Sequence, residues 1–315
     1  MSDPLSRLLG TRDWVLADGA TGTALINAGL PAAKAPGSWA LDNPDGLRTH
    51  HRATIAAGAD LFLTNSFGTS DARHRPLGEE HAGAVNRAAA EIACEIAAQA
   101  GRPVLAAGSM GPMGEIMAPI GTMTLARAVA LYTAQAQALR DGGVGLLWAE
   151  TLSSLDEVRA VAEAARAVGL PWCVTMSFDT AGRSMMGVAP PQFAAMVESL
   201  RNPPVAIGAN CGAGPAELLR SLIALVASGT ERPLIAKANA GVPHFGAGRV
   251  GYDGTPAMMA DYAVMARDIG ARIIGGCCGT TPEHLRAMRA ALEATPRGPR
   301  PSPEAIAARL GSTAD

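Results

Sequence analysis

Along almost the whole chain, short apolar runs alternate with longer Ala-rich segments of helical spacing. The apolar runs are Trp14–Asp18, Asp60–Asn65, Pro103–Gly108, Val144–Glu150, Pro171–Ser177, Pro204–Asn210, Pro233–Ala238 and Ala271–Gly276. Between them, apolar positions recur at helical spacing over Asp45–Ala57, Glu79–Ala100, Leu125–Asp141, Leu155–Val168, Pro215–Ala227, Pro256–Ile269 and Pro282–Leu292. The last three open on proline, whose fixed φ and missing N–H suit the first helical position. Strands apolar on both faces and separated by helices predict a parallel sheet covered by helices. Eight such units predict a single (β/α)8 TIM-type barrel over residues 1–295, followed by a short tail over 296–315. A doubly wound open sheet shares the alternation. It would carry a dinucleotide fingerprint after the first strand, and Gly19-Ala20-Thr21-Gly22 has the wrong spacing.

Composition narrows the class. With 48% hydrophobic and 17% charged residues, the chain reads as a well-buried globular protein rather than a disordered one. A net charge of −2 offers no general attraction to nucleic acid or an anionic membrane. No apolar run approaches the roughly 20 residues that span a bilayer. The start, MSDPLSRLLGTRDW, lacks a signal peptide's basic and long apolar regions. Five cysteines are too few and odd in number for a disulfide scaffold. The expectation is a soluble, cytoplasmic enzyme acting on small molecules, with reduced cysteines. The Pro- and Arg-rich tail suits the surface or a subunit contact, which leaves a homo-oligomer open.

Chemistry in such a barrel sits at the C-terminal strand ends. In order these carry Asp18, Thr64-Asn65-Ser66, Glu150-Thr151, Asn210-Cys211 and Cys277-Cys278. Adjacent side chains of a strand point to opposite faces, so Cys277 and Cys278 can serve one site only if the strand ends between them. Their flanking glycines, Gly275-Gly276 and Gly279, permit that bend. Cys94 and Cys173 fall mid-helix and mid-strand, as small buried hydrophobes would. Cys211, Cys277 and Cys278 can therefore meet at the barrel mouth. Three thiolates around one ion, with a fourth position open, is a catalytic rather than a structural Zn2+ arrangement. A vicinal disulfide, or a zinc–thiolate redox sensor, is the alternative. Three thiolates dampen a metal's Lewis acidity, so a substrate thiol suits the open position better than water. The reaction suggested is alkyl transfer to a thiol.

The segments LADGATGT (16–23), LTNSFGTS (63–70), GSMGPMGE (108–115), WAET (148–151), GANCG (208–212) and IIGGCCGTTPEH (273–284) together resemble the homocysteine S-methyltransferase family, nearest its bacterial betaine-dependent members. The resemblance implies a zinc-dependent barrel that methylates homocysteine to methionine. It implies Cys211, Cys277 and Cys278 as zinc ligands. It assigns Asp18 and Glu150 as the catalytic-site carboxylates that hold the homocysteine ammonium, with Gly19 and Thr64 lining that pocket. Taken alone, Asp18 could cap a helix and Glu150 could be an ion-pair partner. Asn210 is expected to hydrogen-bond near the ligands. Trp39 resembles the tryptophan facing the betaine methyl groups, with loop packing as the alternative. Glycine betaine is then the expected donor, giving dimethylglycine; S-methylmethionine, dimethylsulfoniopropionate and methyltetrahydrofolate are the alternatives. The chain departs from animal relatives in having Gly68 where a tyrosine is expected, with Phe67 and Tyr252 as substitutes, and in ending soon after the barrel. The six histidines form no HExxH spacing, and Arg73 and Arg75 are candidates for a donor carboxylate.

Overall fold

The computed structural model describes residues 3–31, 34–69, 78–179, 181–246 and 249–311, so Arg73, His74 and Arg75 lie outside the described residues. Seven parallel strands come first: β1 (Val15–Leu16), β2 (Leu61–Leu63), β3 (Leu105–Met110), β4 (Leu147–Leu152), β5 (Trp172–Met176), β6 (Ala206–Cys211) and β7 (Leu234–Ala238). A small antiparallel hairpin follows, β8 (Pro243–Gly246) with β9 (Arg249–Tyr252), and then the eighth barrel strand, β10 (Ala271–Gly276). The barrel order is β1-β10-β7-β6-β5-β4-β3-β2. Its two ends meet where Ala17 bridges Leu61 and the Asp60 N–H donates to the Leu16 carbonyl at 2.7 Å. The sheet thus closes on itself as the predicted (β/α)8 barrel.

Period-two alternation sorts the strand residues into two layers. Val15, Leu61, Trp148, Cys173, Ile235 and Ile273 form one buried cluster in the barrel interior. The helix Pro4–Leu9 plugs it from below with Leu5, Leu8 and Leu9. Alternate residues such as Leu147, Val174, Ile207, Ala236 and Ile274 pack outward against the helices. The outer helices start on capping side chains: Ser154 accepts from the Glu157 N–H and Thr255 from the Met258 N–H.

The interior parity continues upward to the mouth. Ser109, Glu150, Thr175, Asn210 and Lys237 follow interior residues by two, so the top layer of the barrel is polar where the lower layers are apolar. The opposite end is closed by charge. Asp60, wholly buried, receives Arg12 at 2.7 Å, Arg102 at 2.9 Å, Arg289 at 2.8 Å and the Leu16 N–H at 3.0 Å.

Three elements differ from the sequence expectation. The first strand is shorter, Val15–Leu16, although Ala17 still bridges Leu61 and the Asp18 carbonyl still accepts the Gly276 N–H at 2.8 Å. A helix, Pro190–Glu198, follows β5, and the hairpin β8–β9 occupies what reads as loop. The tail agrees with its sequence, which has one short helical stretch near the end: it carries a helix, Pro303–Leu310, whose Ile306 and Leu310 are buried against the outer helices.

Candidate active site

At the C-terminal end of the barrel lies a cavity of about 530 Å3. It is lined by Cys211, Cys277 and Cys278 on one side and by Asp18, Glu150 and Lys237 beneath. The three Sγ atoms all lie within 4.8 Å of one another, and they are the one His, Cys, Asp or Glu group able to hold a metal found among the described residues. Tetrahedral zinc with bonds of about 2.3 Å sets its sulfur ligands roughly 3.8 Å apart, so this trio fits the ion. An all-sulfur donor set also selects against hard cations.

Local backbone brings the thiols together. Cys277 follows β10 and its N–H still donates to the Ala238 carbonyl, whereas the Cys278 N–H turns to the Asn239 side chain at 3.1 Å. The ladder hydrogen bonds therefore run one residue past β10, to Cys277, and stop before Cys278. Gly279 completes the turn at φ 77, where any Cβ would also collide with Tyr252. Asn239 donates to the Gly212 carbonyl at 2.7 Å, which ties the turn after β6 to the one after β10. Cys211 itself has φ 64, a conformation unusual for a residue with a side chain and held by its surroundings. Asn210 accepts from the Thr175 hydroxyl at 2.6 Å and donates to the Cys277 Sγ at 3.7 Å.

The carboxylates sit one layer deeper. Asp18 Oδ2 accepts the Leu63 N–H at 2.9 Å, so Asp18 is held by the strand beside it and caps no helix. Its other oxygen, Oδ1, is 2.9 Å from Lys237 Nζ but without hydrogen-bond alignment, leaving a buried acceptor unused. Glu150 Oε2 lies 3.3 Å from the same Nζ, and Oε1 accepts from the Ser109 hydroxyl at 3.3 Å. Burial, with further push from Cys277 and Asp18, raises Glu150 to about 7, although Lys237 pulls the other way. Burial pulls the Lys237 ammonium down, but the adjacent Asp18 and Glu150 outweigh it and raise the group above its ordinary range. Among the thiols, Cys278 drops because it accepts from Cys211 and Cys277, while Cys211 rises.

The family model for homocysteine S-methyltransferase matches residues 15–292. The chain belongs to the homocysteine S-methyltransferase family. It is 31% identical over 313 residues to methionine synthase of Mycobacterium leprae and 30% over 300 residues to that of Mycobacterium tuberculosis. Those alignments cover 91% and 88% of this chain but 25% and 24% of the synthases, so the chain spans about a quarter of their length. Among solved structures it resembles the metallated form of the homocysteine methyltransferase MmuM from Escherichia coli. The TM-score is 0.77 at 27% identity, covering 91% of this chain and 99% of that one.

Within this family member, the structure gathers Asp18, Gly19, Thr64, Glu150 and the three cysteines around one cavity. Gly19 leaves no room for a side chain, since a Cβ would lie 2.8 Å from the Thr280 carbonyl. Thr64 is fixed by the Ser66 hydroxyl at 2.6 Å and the Ser109 N–H at 2.9 Å. Trp39 is not brought to this wall. Its ring packs in an apolar cluster with Leu25, Leu47 and Ile92, because the short helix Trp39–Asp42 turns it inward toward the outer helices. Phe67 does line the cavity and is 40% exposed, and Tyr252 lies near enough to Cys278 to help lower its thiol. Lys237 escapes a reading based on strand ends, since PLIAKA scans as an apolar strand. The signal present is its parity: it follows Ile235 by two and shares the interior face with Glu150.

Proposed function

We propose that this protein transfers a methyl group from a small onium donor to the sulfur of homocysteine, giving methionine. The observation that carries the reading is the convergence of three thiols and a buried carboxylate pair on one cavity. Cys211, Cys277 and Cys278 would hold Zn2+, which supplies a thiol-binding position that keeps the substrate sulfur as thiolate at neutral pH.

The chain's own residues do the positioning. Asp18 Oδ1, a buried acceptor with no hydrogen bond, and Glu150 beside it suit the homocysteine ammonium, a charge-assisted pairing. That anchor, set deeper than the thiols, aims the substrate's two-carbon arm and sulfur toward them. The sulfur lone pair forms the new S–CH3 bond as the methyl-to-nitrogen bond breaks, with its electron pair leaving on the amine. No general acid is needed, because an onium donor departs neutral.

Glycine betaine is the donor we put forward, giving dimethylglycine. Phe67, at the cavity wall, replaces Trp39 as the aromatic face for its cationic methyl groups. Free thiols at the site fit a reducing, cytoplasmic setting, and no described helix is long and apolar enough to cross a membrane.

The test is methionine formation by purified, zinc-loaded protein given homocysteine and a panel of donors. Turnover with glycine betaine is expected. Turnover with a sulfonium alone would overturn the donor, and no methionine with any donor would overturn the reaction.

A further inference from the structure

Two anions and one cation meet at the floor of the cavity, and the cation has no place in the reading above. Lys237 Nζ lies 2.9 Å from Asp18 Oδ1 and 3.3 Å from Glu150 Oε2, at 3% side-chain exposure. It is the sole lysine or arginine among the described residues lining the cavity. An ammonium carries three N–H donors. One donates to Glu150 Oε2 and a second lies toward Asp18 Oδ1 as an ion-pair contact without hydrogen-bond alignment, which leaves the third unclaimed. Its position is fixed from behind by the ladder of β7 and by the Trp148 ring, whose centroid is 5.7 Å from Nζ.

The charge of the floor follows. With Glu150 ionised, above about pH 7, Asp18 and Glu150 alone would present −2 and would favour a ligand that is simply cationic. With Lys237 the sum is −1, and the floor offers a positive group beside two negative ones. That pattern complements an α-amino acid, whose ammonium and carboxylate sit on one carbon. We propose that Lys237 is a specificity-determining residue that selects a thiol carrying both an ammonium and a carboxylate over an aminothiol carrying the ammonium alone, with its third N–H directed to the substrate carboxylate. This inference rests on the homocysteine reading of the site and extends it to how the amino-acid end is told apart.

The sign of the effect comes from electrostatics. Removing a buried cation favours a ligand of net charge +1 over one of net charge zero, whichever way the side chains relax. The comparison pair is homocysteine and 3-aminopropane-1-thiol, which lacks only the carboxylate. In zinc-loaded Lys237→Met, the ratio of kcat/KM for homocysteine to that for the aminothiol should fall roughly tenfold or more relative to the wild type. Glu150→Gln removes an anion from the same cluster and should move the ratio upward. A role in packing alone would change both thiols together and leave the ratio in place. An unchanged ratio in Lys237→Met overturns the proposal. Should that variant fail to fold, a ratio in Glu150→Gln that falls or stays put overturns it instead. Wild-type protein that methylates neither thiol refutes the homocysteine reading itself, a result separate from these.

Discussion

Asn210 and Thr151 are joined by two hydrogen bonds of 2.7 Å: the Thr151 N–H donates to Asn210 Oδ1, and Asn210 Nδ2 donates to the Thr151 hydroxyl. The pairing holds Thr151 at φ 64, next to Glu150, while the same amide reaches the Cys277 sulfur. One buried side chain thus couples the carboxylate strand to the thiol strand. Asn210→Ala is expected to cost about 2 kcal/mol of stability, because it strands buried polar groups. It should also weaken zinc binding on the order of tenfold or more, as loss of a group orienting a metal ligand does. Denaturant unfolding and a chelator competition would check the two effects.

The turn that bears the vicinal cysteines tolerates no added carbon. Gly276 faces the Thr280 side chain so closely that a Cβ would overlap it, and Gly279 combines φ 77 with contact against Tyr252. Gly279→Ala should therefore lower stability by roughly 2–3 kcal/mol and reduce zinc occupancy together. Thermal melting with metal analysis reads both. A variant that keeps full zinc and wild-type Tm would contradict the role given to this turn.

Glu150 is expected to make homocysteine binding pH-dependent. Burial raises it to about 7, so it is protonated below that value and ionised above. Only the ionised form pairs with an ammonium, so KM for homocysteine should fall as pH rises through about 7. Glu150→Gln should bind more weakly and lose that inflection. The same inflection persisting in the variant would assign it to another group.

At the far end of the barrel, Asp60 is the shared partner of Arg12, Arg102 and Arg289 and caps the Leu16 N–H. Asp60→Ala removes the shared anion of three guanidinium groups at the barrel floor, of which Arg289 keeps a second carboxylate partner, Glu293. A loss of about 3–5 kcal/mol is expected, with zinc content per folded molecule unchanged. Equilibrium unfolding tests the first part and metal analysis of the folded fraction the second.

The barrel was legible because eight short apolar runs alternate with segments of helical spacing, and the metal trio because its cysteines stand at strand ends. What the sequence obscured is tertiary in origin. Lys237 hides in an apolar run, since its charge is matched by Asp18 and Glu150, which lie 219 and 87 positions away. Trp39 sits in a loop-rich stretch with no period to show which way the ring faces, and packing against Leu25 and Leu47 decides it. The hairpin β8–β9 is short and glycine-bearing, and its pairing depends on register rather than on pattern.

Zinc-edge X-ray absorption on the metal-loaded protein, without and with homocysteine, tests the central claim most directly. Sulfur ligation by Cys211, Cys277 and Cys278 predicts three sulfur neighbours at about 2.3 Å, becoming four when homocysteine is added. A sulfur count that stays at three with saturating homocysteine, or a protein that retains no zinc under reducing conditions, would contradict it.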